Sequence, residues 1–236
     1  MLQLIKKDLL VSLKIRSLKA VILTCIVGLF LLSGLSYIFP TILPIIITYM
    51  VVMNTFYYDS LNNSESYILS LPNKREDVVY SKYILILLLL FLSNILMYIL
   101  FGINILNSVR VMVLQDIVVS WLTILVSFSI ILPLIFKYKY RVVRIVAPFI
   151  TIFIGYLAYS NSTIINFIEN GKETFLISIS RKIGILLHSI FNNFNNYDYR
   201  AVASTIYIIL LFMISVIIFL FSIYISLKIY EKRDIG

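Results

Sequence analysis

Six stretches of this chain are apolar over lengths that approach or match the width of a lipid bilayer: residues 20–39, 41–57, 83–106, 117–136, 145–160 and 201–227. A helix rises about 1.5 Å per residue, so roughly 20 apolar residues cross a hydrocarbon core about 30 Å thick. Lipid offers no hydrogen bonds, so each backbone group must be satisfied inside its own segment, which selects helix for every run. The expected fold is an all-α integral membrane protein with six transmembrane helices. The fifth run, "IVAPFITIFIGYLAYS", is short and carries Pro148 and Gly155, and it is the weakest of the six. Composition agrees. The chain is 61% hydrophobic and 13% charged, whereas soluble domains are about 45–50% apolar and about 25% charged.

Six spans bring both termini to one side, and the basic residues choose which. Segments 1–19, 58–82, 137–144 and 228–236 hold fifteen of the 20 Lys and Arg, while Arg110, Lys172, Arg181, Lys182 and Arg200 lie on the other side. Basic residues accumulate in cytoplasmic loops, so both termini are expected in the cytoplasm. The net charge of +9 then reflects topology rather than a nucleic-acid partner. Tyr57, Tyr58, Tyr80, Tyr83, Tyr138, Tyr140 and Tyr224 gather near the inner boundary, where aromatic residues anchor helices at headgroup level.

Several chemistries are disfavoured. The six runs as bounded contain no Asp, Glu, Lys, Arg or His, and Asp59 and Asp116 fall just outside them. Ion-coupled transporters place ionisable groups at membrane depth, and intramembrane hydrolases need positioned acids, bases or a metal. The lone cysteine, Cys25, lies in an apolar run, and the lone histidine, His188, has no ligand neighbour at metal spacing. The nearest approach to a phosphate-binding loop, "NFIENGKET", has Asn166 in place of the first glycine and Glu173 in place of Ser or Thr. No cofactor is expected on this chain, and energy, if used, must arrive from a partner chain. Asn54 and Asn94 are the polar residues within the runs kept as candidates for lining a pathway; the plainer role for such groups is helix-to-helix hydrogen bonding.

Two amphipathic segments flank the spans. Residues 1–19 read as a cytoplasmic interfacial helix, with Leu2, Ile5, Leu9 and Leu13 on one face and Lys7 and Lys14 opposite. Leu4, Val11 and Leu18 form a second stripe suited to another helix or another protein. The outer segment 161–200, between spans five and six, contains "FLISISRKIGILLHSIF", with Phe175, Ile179, Ile183, Leu186 and Ile190 on one face and Arg181, Lys182 and His188 on the other. It is expected to lie in the interface or to re-enter part-way.

The polar stretch "YYDSLNNSESYILSLPNKREDVVYSKY", residues 57–83, interrupts the apolar pattern between spans two and three. Asp59 follows the span, and "SLNNSESYIL" offers Leu61, Tyr67, Ile68 and Leu69 as the apolar face of a short helix, with Asn62 and Glu65 among its polar residues. Pro72 restricts Leu71 and stops that helix. Asn73 as N-cap, with Glu76 three residues on and Asp77 in the first turn, starts a new helix running through Lys82 into span three.

These residues resemble the first cytoplasmic loop of ABC-2-type ATP-binding-cassette transporter permease subunits, of the small type found in Gram-positive bacteria. The correspondence lies in Asp59, Asn62, Leu69-Ser70-Leu71-Pro72, Arg75, Val78-Val79 and Lys82-Tyr83. It extends in layout to the basic amphipathic start, the six spans and the outer amphipathic segment. Relatives often pair a basic residue with the acid of the short helix, and here Ser66 follows Glu65. The resemblance implies a permease that pairs with a second copy or a paralogue, and a cytoplasmic ATPase that binds ATP and Mg. It implies that the short helix, with Asp59, Leu61, Asn62, Glu65, Tyr67, Ile68 and Leu69, seats in the ATPase as a coupling helix. It implies export, with amphipathic peptides, bacteriocins or peptide antibiotics as cargo, as in phenol-soluble modulin exporters of staphylococci. On this reading residues 1–236 form one transmembrane domain, with 59–82 as the coupling loop. The competing reading is a substrate-binding membrane subunit of an importer.

Overall fold

The apolar runs fold as long helices, and the charges at their ends are drawn into the protein rather than left at the boundary. In this computed structural model the described residues are 2–12, 39–62, 75–102, 114–138, 140–167, 182 and 199–232. They form α1 (Leu2–Ser12), α2 (Phe39–Leu61), α3 (Arg75–Gly102), α4 (Leu114–Tyr138), α5 (Tyr140–Phe167) and α6 (Tyr199–Glu231). Five of the six, α2 to α6, are long and apolar enough to cross a membrane. They correspond to the second to sixth runs read from the sequence. The first run, 20–39, lies outside the described residues but for Phe39, which opens α2. No strand occurs among the described residues.

Helix limits differ from the sequence reading in three places. α2 continues past residue 57 through Asp59 to Leu61. The acid does not end the helix, because lysines from α1 and α3 neutralise it. α3 is described from Arg75, with Glu76 and Asp77 in its first turn, eight residues before the run 83–106 read from the sequence; Asn73, the expected N-cap, lies outside the described residues, and residues 62–74 connect α2 to α3. α5, expected as the short run 145–160, is a 28-residue helix that passes through Pro148. Spanning helices tolerate proline because neighbours and side-chain hydroxyls re-satisfy the freed backbone groups. Pro44 and Pro133 sit inside α2 and α4 in the same way. The expected outer segment 161–200 gives its first residues to α5 and its last to α6; the amphipathic stretch itself, Lys182 apart, lies outside the described residues.

Side-chain contacts fix the direction of each helix. Thr41, at the start of α2, meets Asp116 at the start of α4. Phe56 and Tyr230, near the ends of α2 and α6, both pack on Phe136 near the end of α4. Tyr57 packs on Tyr140 at the start of α5, and Arg75 at the start of α3 donates to the Glu231 carbonyl of α6 at 3.0 Å. The five long helices therefore alternate in direction. Both ends of the 62–74 connection lie at one end of the bundle, and α1 packs there against α2 and α3.

α4 is the centre of the bundle. Ile124, Leu125, Phe128, Ile131 and Leu132 are fully buried on it, and it packs on α2, α5 and α6. α5 meets it through Ala147, Thr151, Ile154 and Ala158, a buried row at helical spacing in which small side chains allow close approach. The opposite face of α5 carries Val142, Ile145, Phe149, Ile152 and Phe153, all exposed. α6 likewise presents Ile209, Met213, Ile217, Leu220 and Phe221 outward. Continuous apolar faces of this size are at odds with water and suit a hydrocarbon surround.

Candidate functional site

Among the described residues, a dense polar arrangement sits where α1, α2 and α3 meet. Asp8 is the one acid on α1, and it lies a turn beyond Leu4 and Ile5, so all three share the buried face. Lys82 follows Val78 and Val79 at the same spacing on α3 and is buried with them. Asp59 approaches from the last turn of α2. Lys7 completes the group from the rim.

The four form a closed ring of alternating charge. Lys82 Nζ lies 2.7 Å from Asp59 Oδ2 and 2.9 Å from Asp8 Oδ2. Lys7 Nζ lies 2.9 Å from Asp59 Oδ1 and 3.0 Å from Asp8 Oδ1. The bonds from both lysines to Asp59 have hydrogen-bond geometry. Asp8 Oδ1 has Lys7 within ion-pair distance but outside good hydrogen-bond geometry. Lys82 also reaches Thr55 Oγ1 at 3.5 Å and lies 4.7 Å above the Phe56 ring, whose negative face favours a cation. Side-chain exposure falls from 32% at Lys7 and 20% at Asp59 to 5% at Lys82 and 2% at Asp8. Burial opposes the charge on Lys7, but the Asp8 and Asp59 carboxylates together outweigh it and hold the ammonium above its ordinary pKa of 10.5.

A buried ring with two charges of each sign is net neutral, and every member has two opposite neighbours. Truncating one member would strand others in a site with little water. The arrangement fastens a peripheral helix to the two helices from which the 62–74 connection hangs.

A second set of polar joints, built from hydroxyls and an amide, starts beside the ring at Tyr83 and runs along the long helices. Tyr83 Oη is 2.7 Å from both Ser222 and Ser226 of α6, and Ser222 Oγ donates to the Ser129 carbonyl of α4 at 2.7 Å. Thr48 and Ser93 join α2 to α3 at 3.0 Å. Ser120 donates to Asn94 Oδ1 at 3.0 Å, linking α4 to α3. At the far end Thr41 donates to Asp116 Oδ1 at 2.8 Å. Asp116, expected just outside a span, is buried in the first turn of α4.

The residues singled out in the sequence fall into three groups. Asp59 joins the ring. Leu61 and Asn62 are exposed at the end of α2, where the Asn62 N–H donates to the Tyr58 carbonyl at 3.0 Å. Glu65, Tyr67, Ile68 and Leu69 lie outside the described residues, as do Leu71, Pro72 and Asn73. Asn54 is half-buried on α2. Asn94 is buried, and both ends of its amide are engaged: Nδ2 donates to the Leu90 carbonyl at 2.8 Å while Oδ1 accepts from Ser120. That is the helix-to-helix role. The sequence reading missed Asp8 and Lys82 as partners. The signal was there: each is a single charge at the position its helix's apolar periodicity assigns to the buried face. No group of three or more His, Cys, Asp or Glu suited to a metal occurs among the described residues.

Residues 3–231 match the family described as "ABC-2 family transporter protein". The chain belongs to the ABC-2 transporter family. ABC-2 proteins of this kind are membrane components of ABC transporters, and ATP hydrolysis lies in the associated ATPase. The resemblance seen in the 57–83 stretch is thereby supported at family level, and the apolar helices place this ABC-2 protein in a membrane. No curated protein and no solved structure matches the chain.

Proposed function

We propose that this ABC-2 protein is the permease subunit of an ATP-driven exporter of the small Gram-positive type, coupled to its ATPase through the segment between α2 and α3. The observation that carries the reading is the charged ring. It ties the bases of α2 and α3, and α1 with them, at the end from which the LSLP-containing connection hangs. A force on that connection would reach all three helices together. On this reading the ring end is cytoplasmic, both termini lie inside, and two permease copies or paralogues enclose the pathway in a bacterial plasma membrane. The long exposed apolar faces of α5 and α6 leave room for lipid and for a partner permease. Amphipathic peptides, peptide antibiotics or similar hydrophobic compounds are the cargo class. Asn54 is a better candidate for the pathway than Asn94, whose amide is already engaged.

The test is the coupling segment. Tyr67 is its largest apolar group, and truncating an aromatic anchor in a protein interface costs about 2 kcal/mol or more, roughly thirtyfold in affinity. Tyr67→Ala is expected to insert normally, to lose co-purification with the ATPase and to lose transport in step. Glu65→Ala is expected to do much less, because an exposed charge pair contributes about 0–1 kcal/mol. A Tyr67→Ala protein that binds the ATPase and transports like the parent would remove the coupling role.

A further inference from the structure

The ring has a property that a simple clamp would not need. Each side of the joint between α1 and the bundle carries one charge of each sign. Lys7 and Asp8 are neighbours on α1, 3.0 Å apart. Asp59 and Lys82 face each other across α2 and α3 at 2.7 Å. Only two contacts cross the joint within the ring: Lys7 to Asp59 and Lys82 to Asp8.

We propose that the ring is a releasable latch: α1 detaches from α2 and α3 with its two ring charges, Lys7 and Asp8, balancing each other, and re-docks, while the bundle stays folded. The physical reason is that stranding a buried charge is costly, whereas parting two internally neutral pairs strands none. With α1 away, Lys82 keeps Asp59, the Thr55 hydroxyl and the Phe56 ring face, all supplied by α2. Asp8, which is 2% exposed when docked and has one oxygen without a hydrogen bond, gains water and keeps Lys7 beside it. Among the described side chains of α1 the apolar share of the joint is modest: Leu4 and Ile5 are buried, Leu9 and Val11 are partly buried, and Leu10 faces outward. A helix meant to stay permanently would be expected to bury more apolar surface and to place one sign of charge on each side.

The latch follows from geometry alone; its use, letting α1 yield when an ATPase engages the neighbouring connection, rests on the exporter reading. The experiment therefore reads docking and not transport. Purified protein in lipid nanodiscs, with both faces open, carries Cys25→Ser so that a single introduced cysteine reports. Leu4→Cys places the thiol where the native side chain is 6% exposed, and Leu10→Cys where it is 64% exposed. The probe is a bulky polyethylene-glycol maleimide. The Leu10→Cys thiol should label at once and the Leu4→Cys thiol slowly. Adding Lys7→Met with Asp8→Asn removes α1's own neutral pair and leaves Asp59–Lys82 intact. That should speed Leu4→Cys labelling by about tenfold or more, with folded protein, judged by size-exclusion profile and thermal midpoint, at the parent level. Asp59→Asn with Lys82→Met removes the other pair and should speed labelling similarly. Unchanged labelling in both pair variants would overturn the latch, showing that apolar contact alone holds α1. Faster labelling with collapse of the fold in the Lys7→Met, Asp8→Asn protein would overturn it too, showing that α1 is an inseparable part of the bundle.

Discussion

Lys82 and Tyr83 are consecutive residues of α3, both almost fully buried, and they belong to two different kinds of joint. Lys82 turns toward α1 and α2 into a ring of full charges. Tyr83 turns toward α6, where two serines share its hydroxyl. The difference shows what each chemistry suits. A hydroxyl network can be lost one bond at a time, because serines and threonines fall back on their own helix; Ser127 and Thr123 already do so, donating to the Thr123 and Val119 carbonyls. Such joints hold spans against one another at a modest energy each. A charged ring is all or nothing: removing one member leaves the rest exposed to a low-dielectric site.

The contrast can be broken most forcefully at Lys82. Lys82→Met leaves Asp8 and Asp59 sharing Lys7, which is itself one-third exposed. A loss on the order of 3–5 kcal/mol is expected, read as a fall in thermal midpoint and in folded yield. Adding Asp59→Asn should return much of it, because the second change removes a stranded charge. Equal damage from the single and the double variant would mean that packing, not charge balance, governs the site.

Next in size is the neighbouring residue. Tyr83→Phe keeps the ring and its edge contact with Phe219, at 5.1 Å between centroids, and removes only the hydroxyl. Bonds of this kind average about 0.6 kcal/mol and reach about 1.7 kcal/mol in membrane bundles. The same thermal measurement should therefore show a shift several times smaller than for Lys82→Met. If the two substitutions cost alike, the distinction between the joints fails.

The smallest effect concerns pH. The neighbouring carboxylates hold Lys7 above 10.5, so its contribution to α1 docking is fully present below that value and is lost only as pH rises through the elevated pKa. Labelling of the Leu4→Cys protein, corrected for thiol ionisation, should be flat between about pH 6 and about pH 9. A transition inside that window would assign the control of docking to another group.

Much of the bundle is legible without coordinates, because lipid makes apolar run length nearly equivalent to helix. That α3 extends before residue 83, with Glu76 and Asp77 in its first turn, is legible as well. Leu4 belongs to the stripe read as suited to another helix, and it packs on the bundle core. The ring is not legible in the same way. Lys7 and Asp59 are 52 residues apart, and Asp59 and Lys82 are 23 apart. No periodicity links such positions, and a run-length reading treats Lys82 only as one more positive charge at the inner boundary. A run-length reading leaves Asp116 outside its span for the same reason, since a partner such as Thr41, 75 residues earlier, is invisible to a local window. Single charges on otherwise buried faces are the local trace that such partners exist.

Successive residues of a helix point about 100° apart, so the adjacent joints at Lys82 and Tyr83 hold α3 from two flanks at nearly one level. A shaft pinned in this way cannot spin: turning it about its long axis would drag the lysine from its carboxylates and the phenol from its serines in the same stroke. Rocking is opposed less, by the single polar bonds at Arg75 on one side and at Ser93 and Asn94 on the other, and the pinned level can serve as a fulcrum, with the turns from Arg75 to Tyr80 as the short arm and the stretch to Gly102 as the long one. Small displacements at the short arm would then emerge enlarged at the opposite end of the helix, and α3 would act as a lever rather than an axle.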